Sequence, residues 1–203
     1  MHRLIAILIA LALAAPARAD DPPVLDPSVA ARPGAVALYL QARRLADLGE
    51  AGKDPLLVLA AARILHGLEL PADAPSPDAK SLLDLARHLD AGLNYSDLID
   101  QLAREVPPQP RALRATAATL EPGQSAVVTL TFFGGAYGEL AILGDGKSNL
   151  DLLVTAAGET DICNDKGSAD AAFCGFALVE NGDVTVTVTN SGPAPDQYLL
   201  LTE

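Results

Sequence analysis

The run Val184-Thr185-Val186-Thr187-Val188-Thr189 alternates without a break. A period of two sends every valine to one face of an extended chain and every threonine to the other, a pattern that no helix can use. Such a segment is a half-buried antiparallel strand. Ala126–Phe132 alternates too, with Val128, Leu130 and Phe132 on one face and Val127, Thr129 and Thr131 on the other. Turn signals recur between such runs at Pro122-Gly123, Gly134-Gly135, Gly144-Asp145-Gly146, Asn181-Gly182 and Ser191-Gly192-Pro193. Seven or eight short strands at this spacing predict an all-β antiparallel sandwich, jelly-roll-like, over residues 111–203.

Upstream the period changes to that of a helix. Leu38, Ala42, Leu45 and Leu48 share one face of a first predicted helix, which Gly49 and Gly52 are expected to stop. Asp54-Pro55 restarts the chain as a cap followed by proline at the first helical position, and Leu57, Ala61, Ile64 and Leu68 form the next stripe. Ser76-Pro77 repeats that chemistry before a third helix marked by Leu82, Leu85, Ala86 and Leu89; Leu98, Ile99, Leu102 and Val106 mark a fourth. Two helical hairpins over residues 34–106 amount to a small bundle. The segment "VPPQP" cannot continue a helix, so residues 107–110 read as a linker and the whole as an α+β chain of two parts.

The chain opens "MHRLIAILIALALAAPARAD": a basic start, an apolar run from Leu4 to Ala15, and Ala17-Arg18-Ala19 as a small-x-small cleavage pattern. This is the pattern of a short bacterial-type signal peptide over residues 1–19, cleaved after Ala19, and it predicts a periplasmic or secreted protein. Residues 20–33 are proline-rich and read as an extended leader. The formal charge of the full chain is −12, and losing Arg3 and Arg18 with the signal makes it more negative by two. Such a surface repels nucleic acid and anionic membranes, and after signal cleavage no transmembrane segment is expected. Both cysteines lie in the exported part, where a Cys163–Cys174 disulfide is the expected state.

Three stretches, "LEPGQSAVVTLTF", "GDGKSNLDLLVTAAGET" and "NGDVTVTVTNSGPAPDQYLLLTE", carry a resemblance. Residues 120–203 resemble the bacterial pre-peptidase C-terminal domain, a β-sandwich often appended to secreted proteases. That family favours an acidic turn followed by Asp-Leu-Asp-Leu, which stands here as Asn149-Leu150-Asp151-Leu152. The turn departs from the family at Lys147 and Ser148, and the helical half is too small for a protease. The resemblance implies a domain type, not a peptidase.

The acidic stretch 144–174 leaves two chemistries open. Calcium takes six to eight oxygens, and Asp145, Asn149 and Asp151 offer several from one turn, with Asp165 or Asp170 within reach from the cysteine loop. Asp and Asn are equally the ordinary residues of turns, and Lys147 places a positive charge inside this one. Hydrolysis finds less: His66 and His88 both fall in predicted helices, and no Gly-x-Ser-x-Gly elbow, His-Glu-x-x-His run or glycine-rich phosphate loop is present. With no tryptophan, and with most of Phe132, Phe133, Tyr137, Phe173, Phe176 and Tyr198 assigned to the core, an aromatic sugar platform is not predicted. The expected role is therefore a non-enzymatic binding or accessory protein engaging an envelope or extracellular protein or polymer, without a cofactor unless calcium. The rivals are a calcium-dependent adhesion or matrix module and a small envelope hydrolase acting through clustered carboxylates.

Overall fold

The computed structural model describes residues 24–71, 77–90, 92, 94–106, 110–156 and 160–203. The expected signal peptide, the start of the leader, Ser76 and linker residues 107–109 lie outside the described residues. Four helices, α1 Ala35–Gly52, α2 Pro55–His66, α3 Ala79–Leu89 and α4 Ser96–Arg104, precede the sandwich. Asp54 caps α2 as expected, accepting from the Leu56 N–H at 2.9 Å and the Leu57 N–H at 3.4 Å with Pro55 behind it. α3 starts from Asp78, two residues beyond the expected Ser76, and Asp78 and Ser81 cap each other's backbone reciprocally.

Two helical expectations need correction. Gly49 does not stop α1. The helix runs on to Gly52 and ends at Lys53 in the left-handed conformation, while Gly49 is a contact point: a Cβ there would lie 2.7 Å from Val58 Cγ2 of α2. The apolar stripes are also rotated from the leucine-based reading. Leu48, Leu98 and Val106 are exposed, and α1 instead buries Val36, Tyr39, Ala42, Ala46 and Gly49, whose mostly small side chains admit α2 closely.

The sandwich follows. Its strands are β3 Arg114–Leu120, β4 Ser125–Phe132, β5 Tyr137–Leu143, β6 Leu150–Ala156, β7 Thr160–Asp165, β8 Ala171–Ala177, β9 Gly182–Asn190 and β10 Asp196–Thr202. They form two antiparallel four-stranded sheets in the orders β3-β10-β5-β8 and β4-β9-β6-β7, which is jelly-roll topology. Val184, Val186 and Val188 point inward and are fully buried against Leu140, Ile142, Leu152, Val154 and Leu200. The alternation read from the sequence thus sets the sandwich core. A two-residue parallel pair, β1 Leu68–Glu69 with β2 Arg111–Ala112, ties the end of α2 to the entry of the sandwich. Among the described residues no helix is long and apolar enough to cross a membrane.

The helices form a third layer against the outer face of the β3-β10-β5-β8 sheet. Ala141 of β5 and Leu201 of β10 are buried in the same cluster as Val36, Tyr39 and Leu65, with Leu143, Leu199 and Ala115 packed at its margin. β5 and β10 are therefore covered on both faces. Where α1 meets the sheet its first turn has no side-chain cap of its own, since Gly34 stands at that position. The sheet supplies one. Glu139 of β5, buried, accepts from the Gly34 N–H at 2.8 Å and from the Ala37 N–H at 2.9 Å, and the Glu203 carboxylate accepts from the Ala35 N–H. Three of the four amides that a helix start leaves unbonded are thus met by carboxylates from the neighbouring layer, where the helix dipole also favours negative charge. A Cβ at position 34 would lie 2.7 Å from Glu139 Oε2, so a larger residue there would require the carboxylate to shift.

Removing this buried acceptor leaves donors unsatisfied, at about 1–3 kcal/mol for each. Glu139→Ala is expected to lower unfolding free energy by about 2–6 kcal/mol in urea titration, and Glu139→Gln, which keeps one acceptor oxygen, by less.

Candidate functional site

One groove is walled by both parts of the chain. Leu40, Arg43, Arg44 and Asp47 of α1 form one side, and Leu143–Gly146, Asp165, Asp170–Phe173 and Gln197–Leu199 form the floor and the other side, enclosing about 1040 Å³. Small outward residues of the sheet, Ala117 and Ala171, lie along it, and Phe173 shows 40% of its surface. Arg43 is held over the Tyr39 ring at 6.0 Å, which fixes one guanidinium at the wall; Arg44 beside it is exposed. Across from them stand the carboxylates of Asp145, Asp165 and Asp170. The groove therefore has a cationic wall, an acidic rim and an apolar floor.

The rim is the acidic stretch of the sequence. Asp145 pairs with Lys147, Nζ to Oδ2 at 2.6 Å, and its Oδ1 accepts the Lys147 N–H at 3.2 Å. The hydrogen bond from Lys147 chiefly, reinforced by its charge and by backbone amides, holds the Asp145 carboxyl below its ordinary value and raises the Lys147 ammonium above its own. Asn149 donates to Asp151 Oδ1 at 3.3 Å, and Asp151 Oδ2 accepts from Ser191 Oγ at 2.5 Å. Asn190, buried, organises the loops behind: its amide donates to the Leu120 and Ala194 carbonyls, and its oxygen accepts from Ser148 Oγ and the Gly192 N–H.

Asp145 lies in the turn between β5 and β6, Asn149 just before β6 and Asp151 within it. Among the described residues no three His, Cys, Asp or Glu side chains gather to hold a metal ion. Asp196 Oδ1 accepts the Asp145 N–H at 3.2 Å, and both Asp170 and Asp196 crowd the Cβ position of Gly144. Asn149 Oδ1 and Asp196 Oδ2 are buried with no hydrogen-bond partner among the described residues.

Cys163 and Cys174 are joined, with Cα atoms 5.9 Å apart. β7 and β8 belong to opposite sheets, so the bridge staples the two sheets at one edge of the sandwich rather than closing a hairpin. In the chain-entropy model a loop of this length is worth about 3 kcal/mol. The bond fits an oxidising compartment outside the cytosol. His66 presents its ring nitrogen to the Glu105 carbonyl and His88 lies exposed on α3. Among the described residues neither hydrogen-bonds a serine, threonine or cysteine side chain.

Glu139, Glu203, Arg43 and Arg44 were not singled out by the sequence pattern as site residues. One signal for Glu139 was available: it is a lone charge in the otherwise uncharged strand YGELAIL. The arginines of α1 carried no such signal, because an exposed arginine on an amphipathic helix is ordinary.

No protein-family model matches the chain, and no curated protein does either. Among solved structures, the pre-peptidase C-terminal domain of a collagenase from Bacillus anthracis is similar at 11% identity, covering 43% of this chain and 87% of that one with a TM-score of 0.38. PliG of Aeromonas hydrophila, a periplasmic inhibitor of g-type lysozyme, is similar at 17% identity, covering 44% of this chain and 84% of that one with a TM-score of 0.34. The Yersinia pseudotuberculosis-derived mitogen is similar at 12% identity, covering 44% and 83% with a TM-score of 0.33. Likeness at this level speaks to neither activity nor partner.

The Asp145–Lys147 pair makes a direct prediction. Because the folded carboxyl titrates below its ordinary value, its stabilising contribution is present above the unfolded-state value and lost as pH falls through the folded one. In an NMR titration of the side-chain carboxyl, Asp145 is expected to titrate below its ordinary value in the native chain and to move back toward it in Lys147→Met.

Proposed function

We propose that this chain is an exported, non-enzymatic binding or accessory protein of the cell envelope or extracellular space. Its jelly roll is of pre-peptidase C-terminal type, built from residues 111–203 behind a helical region of residues 34–106, and it engages a protein or polymer through the groove beside α1. The observation that carries this reading is the groove itself, whose cationic wall belongs to the helices and whose acidic rim and apolar floor belong to the sandwich. Opposed charges across an apolar floor suit an extended segment that carries both signs of charge, since each wall then meets its complement.

The test is comparative capture from envelope extracts with native chain, Arg44→Glu and Phe173→Ser, both changes at solvent-facing positions. A partner retained by the native chain and weakened about tenfold or more by either variant supports the groove, a loss of the size a central contact carries. A partner retained equally by all three overturns it.

One observation favours a second reading, a calcium-dependent module. The unpartnered oxygens of Asn149 and Asp196 lie in the acidic loops beside Asp145 and Asp151. In the geometry described, Lys147 occupies Asp145, so calcium entry requires that ion pair to open. Under this reading, millimolar calcium raises the thermal midpoint over that in EDTA by several degrees, and Asp145→Asn/Asp151→Asn abolishes the rise. An identical midpoint in both solutions leaves the stretch a set of hydrogen-bonded turns.

A further inference from the structure

The two open edges of the sandwich are treated differently. At one, β7 and β8 are stapled by Cys163–Cys174, the register of β6 with β7 slips between Val154 and Thr155, and β7 carries the exposed charges of Asp161 and Asp165. A bulge, charges and a covalent link are the usual means by which a sheet edge is closed to further pairing. At the other edge none of these devices is present on β4. The strand is eight residues long, its register with β9 is unbroken, and no charged residue occurs anywhere from Pro122 to Gly138 in a chain of formal charge −12.

Its side chains show the consequence. On β9 the inward valines are sealed, whereas the inward residues of β4, Ala126, Val128, Leu130 and Phe132, are only half-buried. On the outer face Val127 stands 65% exposed, and just past the strand Phe133 is 76% exposed. The backbone is equally open. The Asn190 N–H bonds the Gln124 carbonyl at 2.9 Å, so by antiparallel alternation the even-numbered residues of β4 form the ladder to β9. Ser125, Val127, Thr129 and Thr131 turn their amide and carbonyl groups to the side where, among the described residues, the sheet has no further strand.

We propose that β4 is a self-association edge, on which β4 of a second copy of this chain adds antiparallel, joining two four-stranded sheets into one of eight. Charge selects the copy as occupant. Elsewhere two such acidic chains repel, but along β4 there is no charge to oppose another β4. The pattern is also self-complementary about a two-fold axis through Val128. Ala126 then faces Leu130, Val127 faces Thr129 and Ser125 faces Thr131, so that apolar residues meet apolar ones inside and hydroxyl or β-branched residues meet outside. Pairing satisfies the free backbone groups of both copies and covers the half-buried row. One strand pair is small beside the ~1,200–2,000 Å² of a stable interface, so the dimer is reversible and depends on concentration.

The test is sedimentation equilibrium of residues 20–203, the chain without its expected signal peptide, up to ~1 mM. The native chain is expected to pass from monomer to dimer. Val127→Lys/Thr129→Lys, changed only at exposed positions, is expected to stay monomeric at every concentration where the native chain is dimeric. Mixing it with Val127→Glu/Thr129→Glu is expected to restore a dimer, because each lysine then faces a glutamate. Circular dichroism and the thermal midpoint of each variant report whether it is folded. A native chain that remains monomeric throughout overturns the proposal, as does a dimer that folded Lys and Glu variants each form as readily as the native chain.

Discussion

The first turn of α1 has nothing of its own to bond its amides, and the sheet answers with two carboxylates. Glu139 reaches it from a strand in the middle of the sheet and Glu203 from just beyond the end of the neighbouring strand. Neither is a surface ion pair of the kind that contributes little in water. Glu139 is buried, its oxygens are bonded by backbone donors, and the helix dipole points its positive end at them. That contact fixes where α1 begins and which face it turns to the sheet. Because α1 carries α2 and α2 carries α3, the whole helical layer is placed by it. The groove exists as a consequence, since its cationic wall is α1 continued two turns further along.

The sheet between the layers has adapted to being covered twice. β5 and β10 bury both faces, so Glu139-Leu140-Ala141-Ile142-Leu143 and Tyr198-Leu199-Leu200-Leu201 are nearly continuous apolar runs with one acid embedded in the first. The opposite sheet faces solvent, and β4 and β9 alternate as strands covered on one side do. The disulfide lies where the layers would otherwise part, between edge strands of different sheets. One edge of the sandwich is therefore covalently shut while the other ends in an uncharged strand.

Much of this was legible in the residues. Strict alternation in Val184–Thr189 and Ala126–Phe132 identified two strands, and the glycine and proline turns marked the boundaries from β3 to β6 and from β8 to β10; that the two strands pair is set by the sheet and not by either segment. Asp54-Pro55 identified a helix start because its cap is local chemistry. The helix faces were less legible. The leucine spacing points Leu48 to the core, yet close packing of α1 on α2 and on the sheet selects alanine, glycine and tyrosine, leaving Leu48 in solvent. Gly49 reads as a stop and is a contact, because the sequence does not say which glycines face another helix. The acidic stretch was legible as turns and as the partner of the cysteine loop. Its pairing with α1 across a groove was not, since Arg43 and Arg44 lie more than a hundred residues from Asp170 and nothing in either segment names the other.

The central claim is that the helical layer and the sandwich stand or fall together through the carboxylates at the start of α1. Native-state amide hydrogen exchange tests it most directly, residue by residue in low denaturant. The account predicts that the interior amides of α1 exchange with the same opening free energy as those of β5 and β10, merging with global unfolding. Amides of α1 that exchange through an opening several kcal/mol lower, while β5 and β10 stay protected, would show that the layers are only adjacent and would contradict it.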